Sequence, residues 1–217
     1  MKRRILPLIL ATVVVFTLFS CKTGAPVVSG GASSEAPAEE MVYYNGVFGI
    51  EVKLLQGWLI ETLNEINLTE AAEDSGVVEE LDVIEYDGGG IGLELCEFWS
   101  RENSGEQEHA GIMLYIESMP DMSIDAYTDS MAVIFEGDNS GYYVELLGIS
   151  DETVGGNSYK KVSFKTTPPE SSAVYIENYY VTEVDTCTYL VVYTTWWAGN
   201  AIGQADAMKA VEAVKVG

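Results

Sequence analysis

Val174-Tyr175-Ile176-Glu177-Asn178-Tyr179-Tyr180-Val181-Thr182-Glu183-Val184 and Thr188-Tyr189-Leu190-Val191-Val192-Tyr193-Thr194-Thr195-Trp196-Trp197 are the two longest β-rich runs in the chain. β-Branched and aromatic side chains of this density fit a pleated, half-buried surface. Asp185-Thr186 between the runs supplies turn chemistry, so the pair is predicted to be two adjacent antiparallel strands. Side-chain alternation puts Tyr175 and Tyr179 on one face and Tyr180 on the other, and it lets Tyr189 and Tyr193 share a face. Trp196 and Trp197 cannot both point inward, so one of them is expected to be exposed or at a sheet edge. The bland use of such a crowd is cross-strand core packing. Its functional use would be an aromatic platform for a sugar, peptide or cationic ligand. Tyr193, Trp196 and Trp197 are the candidate ligand-binding residues.

Working outward, the same signals recur at lower density. Val47 to Val52, Trp58 to Leu63, Leu81 to Tyr86, Ile91 to Trp99, Ile112 to Ile116, Tyr142 to Ile149 and Tyr159 to Lys165 read as strands. Asp87-Gly88-Gly89-Gly90 between two of these runs is a hairpin signal, and Gln56-Gly57 is a plausible turn. Asn64 to Gly76 is acidic and polar and reads as a loop. The period changes at Ser123, an N-cap residue followed by Ile124, Tyr127, Met131, Ile134 and Phe135 at spacings of three and four. A helix is expected there, stopped by Gly137 to Gly141. A second helix is expected from about Ile202, with Ile202, Ala205, Met208, Val211 and Val214 forming its apolar stripe. Runs of antiparallel strands with segregated helices argue for an α+β domain, each helix packing one face on the sheet.

The N-terminus has a different logic. Lys2, Arg3 and Arg4 precede Ile5 to Phe19, an almost unbroken apolar run. A charged head and a short apolar run are the order of a secretory signal. The run is shorter than the roughly 20 apolar residues a spanning helix needs, and Pro7 weakens it further. The ending Leu18-Phe19-Ser20-Cys21 resembles the lipobox of bacterial lipoproteins, in which the cysteine sulfur receives a diacylglycerol and becomes the mature N-terminus. That resemblance implies a signal peptide over 1–20, lipidation (palmitate-type acylation) of Cys21, and a cell-membrane anchor on the extracytoplasmic face. Phe19 departs from it, standing where a small residue is usual. Residues 21–41 are rich in Gly, Ala, Ser, Pro and Glu with almost no large apolar residue and read as a flexible acidic tether. A domain is expected over 42–217.

Composition narrows the partners. The 217 residues carry a net charge of -23, and because three of the 11 basic residues lie in the leader, eight remain against 34 acidic ones. Such a surface repels nucleic-acid phosphates and anionic headgroups, so no nucleic acid partner is expected, and acyl chains rather than basic residues must hold the membrane. One acyl chain binds marginally and two bind stably, which makes a diacylglycerol the sensible anchor. Cys96 and Cys187 remain for either a disulfide or two free thiols, and spacing alone does not choose.

Catalytic chemistry is thin. The single histidine, His109, lies in a polar charged loop and reads as a solvated residue. One histidine and two separated cysteines cannot build a zinc site, so no metal is expected. Asp87-Gly88-Gly89-Gly90-Ile91-Gly92 lacks the lysine of a phosphate loop. Glu136-Gly137-Asp138-Asn139-Ser140-Gly141 does not match a calcium-loop spacing. Glu94 and Glu97 are three positions apart on one strand, which strict alternation places on opposite faces and so excludes as an acid/base pair. No catalytic residue and no cofactor is assigned.

Taken together, several short stretches resemble the PsbP-like group, which includes bacterial lipoproteins. They are Tyr43-Tyr44 leading into Phe48-Gly49-Ile50, Gln56-Gly57-Trp58, Ser123-Ile124-Asp125-Ala126-Tyr127, Gly155-Gly156-Asn157-Ser158-Tyr159-Lys160, and the aromatic strand pair before the final helix. The missing proline before Gln56 and the acidic insertion from Asn64 to Glu80 depart from the pattern. The resemblance implies an antiparallel sheet flanked by helices on both sides, an α/β/α sandwich used for binding and assembly. The expected function is therefore a non-enzymatic, membrane-anchored lipoprotein that binds or helps assemble another envelope component, protein or small ligand. The alternative is an envelope hydrolase acting on sugar or peptide through paired carboxylates.

Overall fold

The computed structural model describes residues 42–46, 48–53, 59–63, 83–85, 90–99, 110–137 and 141–217. The leader, Cys21, the tether, the Gln56-Gly57 turn, the loop from Asn64 to Gly76, the glycine turn at 87–89 and His109 lie outside the described residues. In chain order the elements are β1 (Val42–Asn45), β2 (Ile50–Lys53), β3 (Leu59–Leu63), β4 (Val83–Glu85), β5 (Ile91–Trp99), β6 (Ala110–Ser118), α1 (Ile124–Glu136), β7 (Tyr143–Val154), β8 (Asn157–Thr167), β9 (Tyr175–Asp185), β10 (Thr188–Trp197), α2 (Ala201–Glu212) and β11 (Val214–Val216).

The aromatic runs are β9 and β10, paired antiparallel with Tyr193 opposite Tyr179 and Trp196 opposite Ile176. They lie inside an eight-stranded sheet of order β3-β5-β6-β10-β9-β8-β7, with β4 paired to β5. Every pairing in it is antiparallel. A separate three-stranded sheet has the order β1-β2-β11.

Register divides the large sheet into two faces. On the first, Phe164 of β8, Tyr179 of β9 and Tyr193 of β10 meet Phe135 of α1 in a chain of ring contacts 4.9–5.8 Å apart. Tyr127 of α1 stacks on Tyr189 at 4.9 Å. The second face carries Phe98, Ile112, Leu114, Ile116, Tyr180, Leu190 and Val192, buried with Ile50, Val52, Val211 and Val214 of the small sheet and α2. Trp196 packs there too, with Ala110 and Ala207. The result is the expected α+β architecture, helices on both sides of a mostly antiparallel sheet.

The helices begin as their sequences dictate. Ser123 caps α1, its hydroxyl accepting from the Ala126 N–H at 3.3 Å. Tyr127, Met131 and Phe135, four apart, are its buried stripe. Asn200 caps α2 through bonds from the Ile202 and Gly203 amides. The apolar stripe expected on α2 is corrected. Ile202 and Ala205 are exposed, while Gly203, Asp206, Ala207, Ala210 and Val211 are buried. Close approach explains the roll, because a methyl on Gly203 would fall 3.3 Å from Cβ of Trp196. Only the helix's small residues can meet β10 across that tryptophan. Val214 is not helical either. The chain turns into β11 and pairs with Val52, because the edge of β2 offers hydrogen-bond partners that a longer helix would leave unused.

Cys96 and Cys187 are both free. Cys96 lies opposite Leu114, which lies opposite Val192, whereas Cys187 precedes the first residue of β10. They are thus two strands and several residues apart, beyond the roughly 7 Å between Cα atoms that a disulfide tolerates. Burial and the nearby Glu94 push the Cys96 thiol far above its ordinary range, which leaves it inert.

Candidate functional site

The first face of the sheet holds the chemistry. Alternation from Tyr179 and Tyr193 brings Glu177 of β9 onto that face, opposite Phe164 on one side and Thr195 on the other. Glu177 as a whole is 6% exposed. It accepts hydrogen bonds from the Thr166 hydroxyl at 2.6 Å and the Tyr179 hydroxyl at 3.5 Å. Burial holds its pKa above the ordinary carboxyl range, against the pull of those two bonds. The neighbouring phenols respond in kind. Tyr193 is pushed well above its usual value by burial first, then by Glu177 and Glu97, and Tyr179 likewise by burial, Glu177 and nearby phenols. From the sequence this crowd stands out as tyrosines and tryptophans alone. The missed signal was a single glutamate in Ile176-Glu177-Asn178, at the position between Tyr175 and Tyr179 that the pleat aims to the same side.

The placement of the candidate residues follows from register. Tyr193 and Trp197 share this face, and Trp196 is on the opposite one under α2. Tyr193 and Trp196 are each 8% exposed, and Trp197 is half-buried.

One exclusion made from sequence is overturned. A register shift between Glu94 and Cys96 inserts Leu95 as a bulge, so Glu94 lies opposite Tyr115 while Glu97 lies opposite Met113. Tyr115 and Met113 are two apart on β6, hence on one face, and the two glutamates join them there. Strict alternation had separated them. A bulge adds one residue without altering hydrophobicity, which is why periodicity does not reveal it.

A second buried acid sits farther along the same face. Glu117, 3% exposed, accepts a short bond from the Tyr127 hydroxyl of α1. The β10 residues beside Glu117 and Glu177 are Tyr189 and Thr195, six positions apart. At about 3.3 Å per residue that is roughly 20 Å, well outside the 5–10 Å at which two carboxyls share one glycosidic bond. Each buried acid is instead engaged by hydroxyls of its own neighbours. Among the described residues, no group of three or more His, Cys, Asp or Glu side chains is placed to hold a metal ion.

No protein-family model matches the chain. No curated protein matches it in sequence. Among solved structures, cyanobacterial PsbP (CyanoP) from Synechocystis superimposes with a TM-score of 0.51 at 11% identity, over 87% of this chain and 98% of that one. The chain has a PsbP-like fold. LpqN of Mycobacterium tuberculosis, described as involved in cell envelope biogenesis, is similar at a TM-score of 0.45 and 11% identity, over 82% of this chain and 90% of LpqN. One stretch that carried the PsbP-like resemblance now has a physical use. In Gly155-Gly156-Asn157-Ser158-Tyr159-Lys160 the Asn157 amide donates to the Val214 carbonyl at 2.8 Å and to the Tyr159 hydroxyl at 3.0 Å. The β7–β8 turn is thereby fastened to the chain's C-terminal strand.

The raised pKa of Glu177 makes a pH prediction. The native state holds this proton more tightly than the unfolded chain, whose carboxyl titrates near about 4.3. Between that value and the raised native one the native state binds more protons, so this group lowers stability as pH rises. Glu177→Gln keeps an acceptor for Thr166 and removes the charge. The variant should be more stable than wild type at pH 7, on the order of 1 kcal/mol, with the difference closing toward pH 4. Urea unfolding at a series of pH values reads it out. An unchanged pH slope in the variant would show that Glu177 is not the group responsible.

Proposed function

We propose that this protein is a cell-envelope lipoprotein whose domain binds or helps assemble another envelope component without catalysing a reaction. Cys21 carries the diacylglycerol, residues 21–41 form the tether, and the domain stands on the extracytoplasmic face. The geometric observation behind the non-catalytic reading is the engagement of Glu177 by Thr166 and Tyr179, and of Glu117 by Tyr127, roughly 20 Å apart on one face. Acids already satisfied by their own scaffold serve packing and specificity more readily than proton transfer. The anchor rests on the basic head, the apolar run and Leu18-Phe19-Ser20-Cys21.

The bulge at Leu95 favours one second reading. Glu94 and Glu97, restored to one face, are the pair through which an envelope hydrolase acting on sugar or peptide would work.

Two measurements test these readings. In its native host, Cys21→Ala should move the protein from the membrane fraction to the soluble one and abolish incorporation of labelled palmitate. A variant that stays membrane-bound without acyl chains would remove the anchor. Affinity capture of the acylated protein from solubilised membranes should recover one envelope component in stoichiometric amount. Recovery of none, with glycan or peptide cleavage by the purified chain that Glu94→Gln and Glu97→Gln abolish, would decide for the hydrolase.

A further inference from the structure

We infer that a lane of small and polar residues on the second face of the large sheet, Gly148, Ser163, Asn178 and Thr194, is a binding site for a neutral sugar. Such a site deepens the binding role proposed above, on which it rests, by naming the ligand class. Register lays out the lane. Gly148 of β7 lies opposite Ser163 of β8, Ser163 opposite Asn178 of β9, and Asn178 opposite Thr194 of β10. Directly opposed residues have β-carbons about 4.5–5.5 Å apart, so Ser163, Asn178 and Thr194 stand side by side. Bulkier rows wall the lane on both sides. Lys161, Tyr180 and Val192 form one wall, and Lys165, Ile176 and Trp196 form the other.

The inner end of the lane carries polar atoms with nothing to bond. Asn178 is 3% exposed and Thr194 is 1% exposed. The Ser163 hydroxyl donates to Asn178 Oδ1 at 2.6 Å, which leaves the amide nitrogen over. Asn178 Nδ2 and Thr194 Oγ1 are the buried side-chain polar atoms without a hydrogen-bond partner among the described residues. They belong to two directly opposed residues. Folded proteins rarely leave such groups unmatched, because each gave up its water to be buried. Two of them together at the end of one lane point to a partner that is not part of the chain. α2 roofs this end. The Tyr180 hydroxyl donates to the Met208 sulfur at 3.2 Å on one wall, and Gly203 approaches Trp196 on the other. The outer end is open. Ser163 is half-buried, and a β-carbon on Gly148 would meet nothing within 4 Å. The sheet order ends at β7, so this edge is the entrance.

The unmatched atoms select the ligand. Asn178 Nδ2 only donates, whereas the Thr194 hydroxyl donates or accepts. A single ligand hydroxyl can accept from the first and bond the second in either direction. The lysines on the walls are already engaged, Lys161 with Glu152 and Lys165 with Glu145, each at 3.2 Å. An anion would have to break those pairs in a chain of net charge -23. A cation would find no carboxylate on the floor of the lane. A neutral molecule rich in hydroxyls meets the Ser163 hydroxyl on the way in and the Asn178 and Thr194 atoms at the end, and it displaces no charge. A few placed polar groups between apolar walls are how small-molecule sites fix orientation.

The test uses the full chain in a zwitterionic, sugar-free detergent. Saturation-transfer NMR should detect binding of glucose and N-acetylglucosamine, and both should raise the melting temperature in a concentration-dependent way. Glucuronate, the anionic counterpart of glucose, should bind at least tenfold more weakly. Thr194→Val keeps the side-chain shape and removes one unmatched atom. It should weaken sugar binding at least tenfold without lowering the melting temperature of the sugar-free protein. Asn178→Leu should weaken binding as much, and either variant carries the test should the other fold poorly. Wild-type sugar affinity in a folded Thr194→Val or Asn178→Leu protein would overturn the inference, as would tighter binding of glucuronate than of glucose. Failure of both neutral sugars to bind would also overturn it and leave the two atoms to an internal water. Affinity capture separates this site from the broader role. A protein that binds no sugar yet recovers its envelope component would lose the sugar site and keep the assembly function.

Discussion

Phe164→Ala should lower the stability of the domain by about 3–5 kcal/mol, the range for emptying a buried aromatic site. Phe164 is fully buried, with its ring 5.0 Å from Phe135 and 5.8 Å from Tyr179. Phe135 is the last buried residue of α1, so this ring is where the end of the helix meets the sheet. Phe164 is also the β8 neighbour of Glu177, and its removal would admit water to a carboxylate that burial holds protonated more tightly. Two effects should therefore appear together. Thermal unfolding should show the lost stability, at about 2–4 °C in melting temperature per kcal/mol for a domain of this size. Amide exchange should quicken in α1 and β8 before it does in β6 or β10. Phe164→Leu, which keeps most of the volume, should show less than half the loss. Equal losses in the two variants would mean that the ring contacts add nothing beyond bulk.

Much of this architecture could be read from side-chain patterns because each main strand is locally self-declaring. β9 and β10 are rich in Val, Thr, Tyr and Trp, and nothing but a sheet accommodates that density with alternation. α1 was equally plain, with a serine cap and a stripe four residues apart. The features that escaped are those in which a few residues depend on distant ones. β1 and β11 are four and three residues long, and β11 exists because the edge of β2 is there to receive it. The roll of α2 was set by the Trp196 side chain beneath Gly203, a contact between elements that spacing within the helix does not encode. The pairing of β10 with β6, which carries the aromatic face, joins strands separated by a helix and three further strands.

The candidate site divides along the same line. The tyrosines were legible, and so was the constraint that Trp196 and Trp197 could not share a side. Glu177 was written between two of those tyrosines at a position alternation assigns to their face. Its importance comes from Thr166 and Phe164, one strand away. The bulge at Leu95 is the opposite case. The residues look like an ordinary strand, and the extra one is revealed only by which β6 residues Glu94 and Glu97 oppose.

Gly155→Ala should cost the domain about 2–4 kcal/mol, more than left-handed backbone strain alone accounts for. Gly155 has φ 60°, and so a side chain there begins with a conformational penalty. The contact adds to it, because a β-carbon built on Gly155 lies 2.6 Å from the Glu212 carbonyl oxygen and 3.1 Å from its carbonyl carbon. That neighbour is backbone at the last residue of α2, which cannot rotate out of the way as a side-chain tip would. Relief requires the turn to lift from the helix end, and lifting breaks the Asn157 bond to Val214 that fastens β8 to β11. Gly156 supplies the control within the same turn. Its φ is 92°, yet a β-carbon there meets nothing within 4 Å. Gly156→Ala should therefore show the strain without the collision, about 1 kcal/mol. The difference between the two melting temperatures isolates the close approach of turn to helix. Equal effects of the two alanines would mean that the turn yields freely, and the β7–β8 hairpin would then be no fastening for the C-terminal elements.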